Sequence, residues 1–225
     1  MTTRIETVVL DMAGTTVLDK GLVTGAFTRA WQREQGAERF DEAMRHVIDT
    51  MGMSKIEVFR GLVSEDEAQA LNVAFEAAVA ELVAEGVVEP IPGAEDVIRG
   101  FQAEGRRVAL TTGFSRETAD LVLRALGWEH LPDLTITPAE AGRGRPAPDM
   151  PLMALIRTGA SSVAALAVIG DTESDVLSGR NAGAGVVAAV MTGGHASREA
   201  LEAAGPTRVL ASVVELPALL AELGV

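Results

Sequence analysis

Short apolar runs that end in polar residues, and then give way to a helical stripe, recur along most of this chain and constrain its fold more than any other feature. Residues 5–10 form the first run; it meets Asp11 and the turn-forming Ala13-Gly14-Thr15-Thr16. Four more such runs occupy residues 107–111, 134–137, 165–169 and 186–190. Between them lie helical patterns. One covers residues 115–126, opened by Ser115 and closed by Gly127. Another covers 150–157, with Pro148 in its first turn and Gly159 as its stop. A third follows the 165–169 run and reaches Arg180. Strands alternating with helices predict an α/β fold, a doubly wound parallel sheet covered on both faces.

One stretch breaks the alternation. From Leu22 the apolar residues Leu22/Val23, Ala26/Phe27 and Ala30/Trp31 recur every three to four positions, and residues 66–85 repeat that period. No strand pattern occurs between Gly21 and Val88, so residues 21–88 are expected to form an all-α insertion bordered by Gly21 and Pro90-Ile91-Pro92-Gly93. The expected division is a catalytic α/β core of residues 1–20 and 89–225 with a helical cap domain of residues 21–88. At 225 residues the chain has the length for one core carrying a smaller insertion.

Composition narrows the function classes. A net charge of −13 argues against nucleic acid, whose affinity comes from clustered Lys and Arg. The absence of Cys excludes disulfides and thiolate metal sites and leaves hard oxygen ligands. Residues 1–9 hold only a brief apolar run, too short for a signal segment or a membrane span, so a cytoplasmic protein with no membrane partner is expected.

In open α/β sheets, ligands bind beyond the carboxyl ends of the strands. The polar residues expected to converge there are Asp11, Thr112, Arg145, Asp171 and Asp175. Two carboxylates at neighbouring strand ends suit a hard cation such as Mg²⁺. Asp11 is then a candidate nucleophile toward phosphorus, with Thr112, Arg145 and backbone N–H groups after Asp11 balancing charge on the equatorial oxygens. Gly14 would let the backbone approach an anion closely. Each residue alone has a duller explanation as a strand-end cap, a turn hydroxyl or a surface charge.

Taken in order, Asp11-Met12-Ala13-Gly14-Thr15, Leu110-Thr111-Thr112-Gly113, Gly144-Arg145-Pro146-Ala147-Pro148 and Gly170-Asp171-Thr172-Glu173-Ser174-Asp175 resemble the four motifs of the haloacid dehalogenase superfamily. The resemblance implies a Rossmann-like core with an inserted helical cap and a phosphoaspartate at Asp11. It also implies Mg²⁺ held by Asp11, the Ala13 carbonyl and Asp171, with Asp175 supporting the metal. Phosphate-binding groups would come from Met12, Ala13, Gly14, Thr112, Gly113 and Arg145.

Most phosphatases of that superfamily carry a second Asp two residues after the nucleophile as general acid and base, and here Ala13 stands at that place. Asp-x-Ala-Gly-Thr, with Arg145 in place of the commoner Lys, is similar to phosphonoacetaldehyde hydrolases, which break a carbon–phosphorus bond after a cap lysine forms a Schiff base. Met51-Gly52-Met53-Ser54-Lys55-Ile56 resembles the segment carrying that lysine. The chain has only two lysines, Lys20 and Lys55, beside seventeen arginines, and a guanidinium cannot form an imine. Lys55 serves that role if burial or nearby cations lower its amine pKa. Two positions depart from those enzymes: Val58 replaces a His, and Phe114 replaces an aromatic hydroxyl.

The expected function is a Mg²⁺-dependent, phosphonatase-like hydrolase acting on a small-molecule phosphonate or phosphate; whether it is a homodimer is left open. The rival enzyme is an ordinary phosphate monoesterase whose proton comes from substrate, water or a cap residue such as Glu57. A phosphoacceptor signalling module fits the strand-end Asp but not the helical insertion or Arg145, and a catalytically dead scaffold would share these motifs. A dinucleotide site would need spaced glycines after the first strand. His46, His130 and His195 show no ligand spacing and are read as surface or packing residues.

Overall fold

The structure, a computed structural model, describes residues 3–225. Strands β1 (Thr7–Asp11), β2 (Arg107–Thr111), β3 (Leu134–Ile136), β4 (Leu166–Gly170), β5 (Val186–Val190) and β6 (Arg208–Leu210) form one sheet in the order β3-β2-β1-β4-β5-β6. Every neighbouring pair is parallel. In β1 all five residues are buried, and successive side chains alternate between two cores. Val8 and Leu10 join the larger apolar cluster, whereas Val9 joins Ala109, Ile136, Met150, Ala154 and Val168 on the opposite face.

The register puts Asp11 beside Thr111, with the chain turning into Asp171 just beyond β4. Seven helices accompany the sheet: α5 (Ala94–Ala103), α6 (Arg116–Leu126), α7 (Pro138–Ala141), α8 (Asp149–Thr158), α9 (Glu173–Ala182), α10 (Arg198–Ala203) and α11 (Leu216–Leu223). Ser115 caps α6 by accepting from the Thr118 N–H, as its position suggested. Two details differ from the sequence expectation. Pro148 is the N-cap of α8 and lies just outside its first turn. The three-residue strand β6 was not anticipated, because a short, half-exposed edge strand carries too little alternation to stand out.

Residues between Thr16 and Ile91 supply only helices: α1 (Leu22–Glu34), α2 (Phe40–Asp49), α3 (Lys55–Arg60) and α4 (Glu65–Ala84). The two connections to this insertion run side by side. Leu18 N–H donates to the Glu89 carbonyl and Ile91 N–H to the Thr16 carbonyl, both at 2.9 Å. Within the insertion Phe27 packs on Trp31, Phe40 and Phe59, and Phe59 packs edge-on against Phe75 at 5.6 Å between ring centroids. Phe75 in turn meets Phe114 of the β2–α6 loop at 6.4 Å, so one chain of rings continues from the insertion into the sheet domain. No described helix is long and apolar enough to cross a membrane. Phe75→Ala should lower the unfolding free energy by about 3–5 kcal/mol, read from urea denaturation, because it opens a cavity in that fully packed row.

Candidate active site

Burial of charge defines the site. Asp11, Arg145, Asp171 and Asp175 are each no more than 5% exposed. Arg145 is clamped from two sides: Nη2 lies 2.7 Å from Asp11 Oδ1, and Nε lies 2.6 Å from Asp175 Oδ1. Its Nη2 also donates to Thr111 Oγ1 at 2.7 Å, and its Nη1 donates to the Gly52 carbonyl of the insertion at 3.1 Å. A planar guanidinium serves these directions at once, which a single ammonium point charge would do less well.

The carboxylates differ in what holds them. Asp175 is fully engaged, since its second oxygen accepts from the Thr172 hydroxyl and N–H at the start of α9. Asp171 accepts from Thr15 Oγ1 at 3.2 Å. One oxygen from each of Asp11, Asp171 and Asp175 falls within 4.8 Å of the others. Arg145 alone does not neutralise three such groups. Burial pushes Asp11 up to about 7 despite Arg145, and burial with the neighbouring carboxylates raises Asp171 well above the usual range. Such a surplus of buried oxygen charge fits a hard divalent cation, whose binding would favour the ionised carboxylates.

Lys55 enters this site from the insertion and is 7% exposed. Its backbone N–H donates to the Gly113 carbonyl at 3.2 Å, and its Nζ lies 3.5 Å from the Met53 carbonyl. The approach of the two segments needs glycine: a Cβ on Gly113 would sit 2.3 Å from the Met53 carbonyl oxygen. At Gly52, with φ +84°, a Cβ would sit 2.4 Å from the Thr172 hydroxyl. Desolvation lowers the Lys55 amine from 10.5 to about 8, partly opposed by Asp11, Asp19 and Asp171 and assisted by Arg145.

Asp11, Ala13, Lys55, Thr112, Gly113 and Arg145 line one cavity, together with Asp19, Val23, Met51, Gly52, Phe114 and Thr172. Its free interior is only about 20 Å³, about enough for a single water. Thr112 Oγ1 accepts from the Phe114 N–H at 3.1 Å, and its hydroxyl proton has no recorded acceptor among the described residues. Met12 buries its side chain in the apolar core, while its backbone N–H serves the Thr111 carbonyl and also the Asp11 carboxylate. Gly14 gives its N–H to Val17 and serves a close approach to Asp171, whose carboxylate a Cβ would strike at 2.3 Å. Glu57 is exposed and paired with Arg60, outside the cavity.

Asp19 was not singled out in the sequence, and His195 was read there only as a surface or packing residue. Asp19 lines the cavity, and His195 Nε2 lies 3.0 Å from Asp19 Oδ2. His195, partly exposed, is therefore tied to the site border through Asp19. A separation of 176 positions leaves no spacing signal to find it. The eight-residue step from Asp11 to Asp19 is the one local hint, and alone it says nothing.

The family model of haloacid dehalogenase-like hydrolases matches residues 5–183. The chain belongs to that family and is a hydrolase. Among curated relatives, phosphonoacetaldehyde hydrolase of Bacillus cereus is 30% identical over 204 residues, 84% of this chain and 76% of the relative. Among solved structures, a hydrolase from Pseudomonas syringae superposes with TM-score 0.85 at 24% identity, covering 98% of this chain and 99% of the other. A phosphonoacetaldehyde hydrolase like protein from Oleispira antarctica also gives 0.85, at 23% identity, over 99% of this chain and 93% of that one.

The lowered Lys55 pKa has a consequence for stability. Its folded pKa lies below the unfolded one, so the unfolded state binds more protons between about 8 and 10.5 and stability rises with pH through that window. The linked penalty, about 3 kcal/mol, is fully present below pH 8. Lys55→Met should therefore raise the denaturation midpoint at neutral pH, with the gain shrinking above pH 8 in paired urea titrations.

Proposed function

We propose that this hydrolase cleaves the carbon–phosphorus bond of a small phosphonate carrying an aldehyde or ketone carbonyl, through an imine on Lys55 and a phosphoaspartate on Asp11. The observation that carries this reading is the shared cavity: a buried lysine with its amine lowered to about 8 lines the same wall as Asp11, Thr112 and Arg145. An unprotonated amine near neutral pH is what carbonyl addition requires.

The Lys55 amine adds to the carbonyl carbon and water leaves, giving a cationic imine. Asp11 then attacks phosphorus. The carbon–phosphorus bonding pair moves into the imine, which becomes an enamine. Arg145 and the Thr112 hydroxyl stabilise charge on the transferring phosphoryl oxygens. Protonation at carbon and hydrolysis release the carbonyl product and free Lys55, while water hydrolyses the phosphoaspartate to phosphate. Asp11, the Ala13 carbonyl and Asp171 are the residues that would hold Mg²⁺, whose positive charge would neutralise the phosphoryl group when bound.

Ala13 fits this chemistry. An enamine leaving group needs no proton on oxygen, and neither Ala13 nor the surface-paired Glu57 supplies one. The relatives named phosphonoacetaldehyde hydrolase support the same substrate class. Val58 and Phe114 are packed into the core, so the groups they replace in those enzymes are missing here. Free space for about one water means the helices α1–α4 must part from the sheet for substrate to enter, the gating expected of a cap.

Phosphorus NMR of enzyme with phosphonoacetaldehyde and Mg²⁺ should show inorganic phosphate forming, and chelator should abolish it. Asp11→Asn should be folded and at least about 1,000-fold slower. Lys55→Arg should lose turnover of the phosphonate. Retained phosphonate turnover in Lys55→Arg, or turnover of phosphate monoesters alone, would replace this reading with a phosphate monoesterase.

A further inference from the structure

Imine chemistry in a closed cavity raises a proton problem. The Lys55 ammonium must shed a proton before the nitrogen can attack, and the carbinolamine hydroxyl must gain one before it leaves as water. From ammonium and carbonyl to iminium and water the change is proton-neutral. One group that takes a proton and returns it is enough.

We infer that the Asp19–His195 pair is that relay, an inference that rests on the Lys55 imine reading. Asp19 lines the cavity beside Lys55, its side chain 3% exposed. One of its oxygens accepts from the Gly21 and Leu22 N–H groups at the start of α1, at 3.0 and 2.9 Å. The other meets His195 Nε2 at 3.0 Å. His195 sits in the loop after β5, and its side chain is 22% exposed, so the pair reaches from the cavity wall to solvent.

The charges on both sides suit the role. Lys55 faces Asp11, Asp19, Asp171 and Arg145; His195 faces Asp19 and, farther off, Lys55. The hydrogen bond to Asp19 raises the His195 pKa, which favours a proton on the pair. His195 releases that proton to water, Asp19 takes one from Lys55, and the pair is restored. Run in reverse, the path protonates the carbinolamine hydroxyl as the nitrogen lone pair forms the C=N bond. Asp19 is the member of the pair that shares the cavity with Lys55, and His195 acts through Asp19 as a positioning residue. The position occupied by Val58 cannot contribute, because an isopropyl group transfers no proton.

The test is the rate of borohydride trapping on the Lys55 peptide, followed by mass spectrometry with phosphonoacetaldehyde from about pH 6 to about pH 9. Asp19→Asn keeps a carbonyl oxygen for the Gly21 and Leu22 N–H groups, and His195→Gln keeps a polar group of similar length. Thermal melting checks that both remain folded. Each should slow trapping roughly 10-fold or more and change its pH profile, and added imidazole should partly restore His195→Ala. A purely structural role would show no imidazole rescue. Trapping in both variants at the parent rate and with the parent pH profile overturns the relay while leaving Lys55 in place. No adduct in the parent enzyme overturns the Lys55 reading, and the relay with it.

Discussion

A guanidinium held between two carboxylates under the carboxyl end of the sheet organises this molecule. Arg145 reaches Asp11 at the end of β1, Asp175 in α9, Thr111 in β2 and the backbone of Gly52 in the helical insertion. Removing one partner from such a buried set leaves uncompensated charge, which typically costs about 3–5 kcal/mol. The same clamp aligns the nucleophile and brings the insertion to the sheet. Position and chemistry therefore depend on one side chain.

Around that clamp, glycines set how near the segments can come. Gly113 and Gly52 let the 51–55 segment lie against the sheet loops, which carries Lys55 out of water and into a cluster of carboxylates. Desolvation and those carboxylates act on the amine in opposite directions, and desolvation wins. A lysine on an open helix face would hold its proton more tightly than this buried one does. The fold thus makes a nucleophile from a residue whose sequence surroundings only hint at it.

Much of this was legible beforehand because strand-end residues announce themselves: a buried apolar run stopping at Asp11, or at Gly170-Asp171, places the carboxylate at the carboxyl end of the sheet whatever the loops do. Strands 107–111 and 186–190 were readable to the residue, since continuous apolar runs bounded by turns have little freedom. What depended on tertiary contact was not legible. Met12 follows the nucleophile yet turns inward, because period two sends it to the core. The pairing of His195, read as a surface or packing residue, with Asp19 spans 176 positions and leaves no trace in the pattern. Strand β6 is three residues long and pairs only at the sheet edge, so pattern alone could not separate it from a loop.

The central claim is that burial makes the Lys55 amine available near neutral pH. Because the chain has two lysines, labelling lysine at the ε-carbon with carbon-13 gives one signal from Lys55 and a reference signal from Lys20, assigned by Lys20→Arg. Titration followed by carbon NMR should show the Lys55 signal moving with a midpoint near 8. A midpoint at or above the ordinary lysine value of about 10.4 would contradict the account.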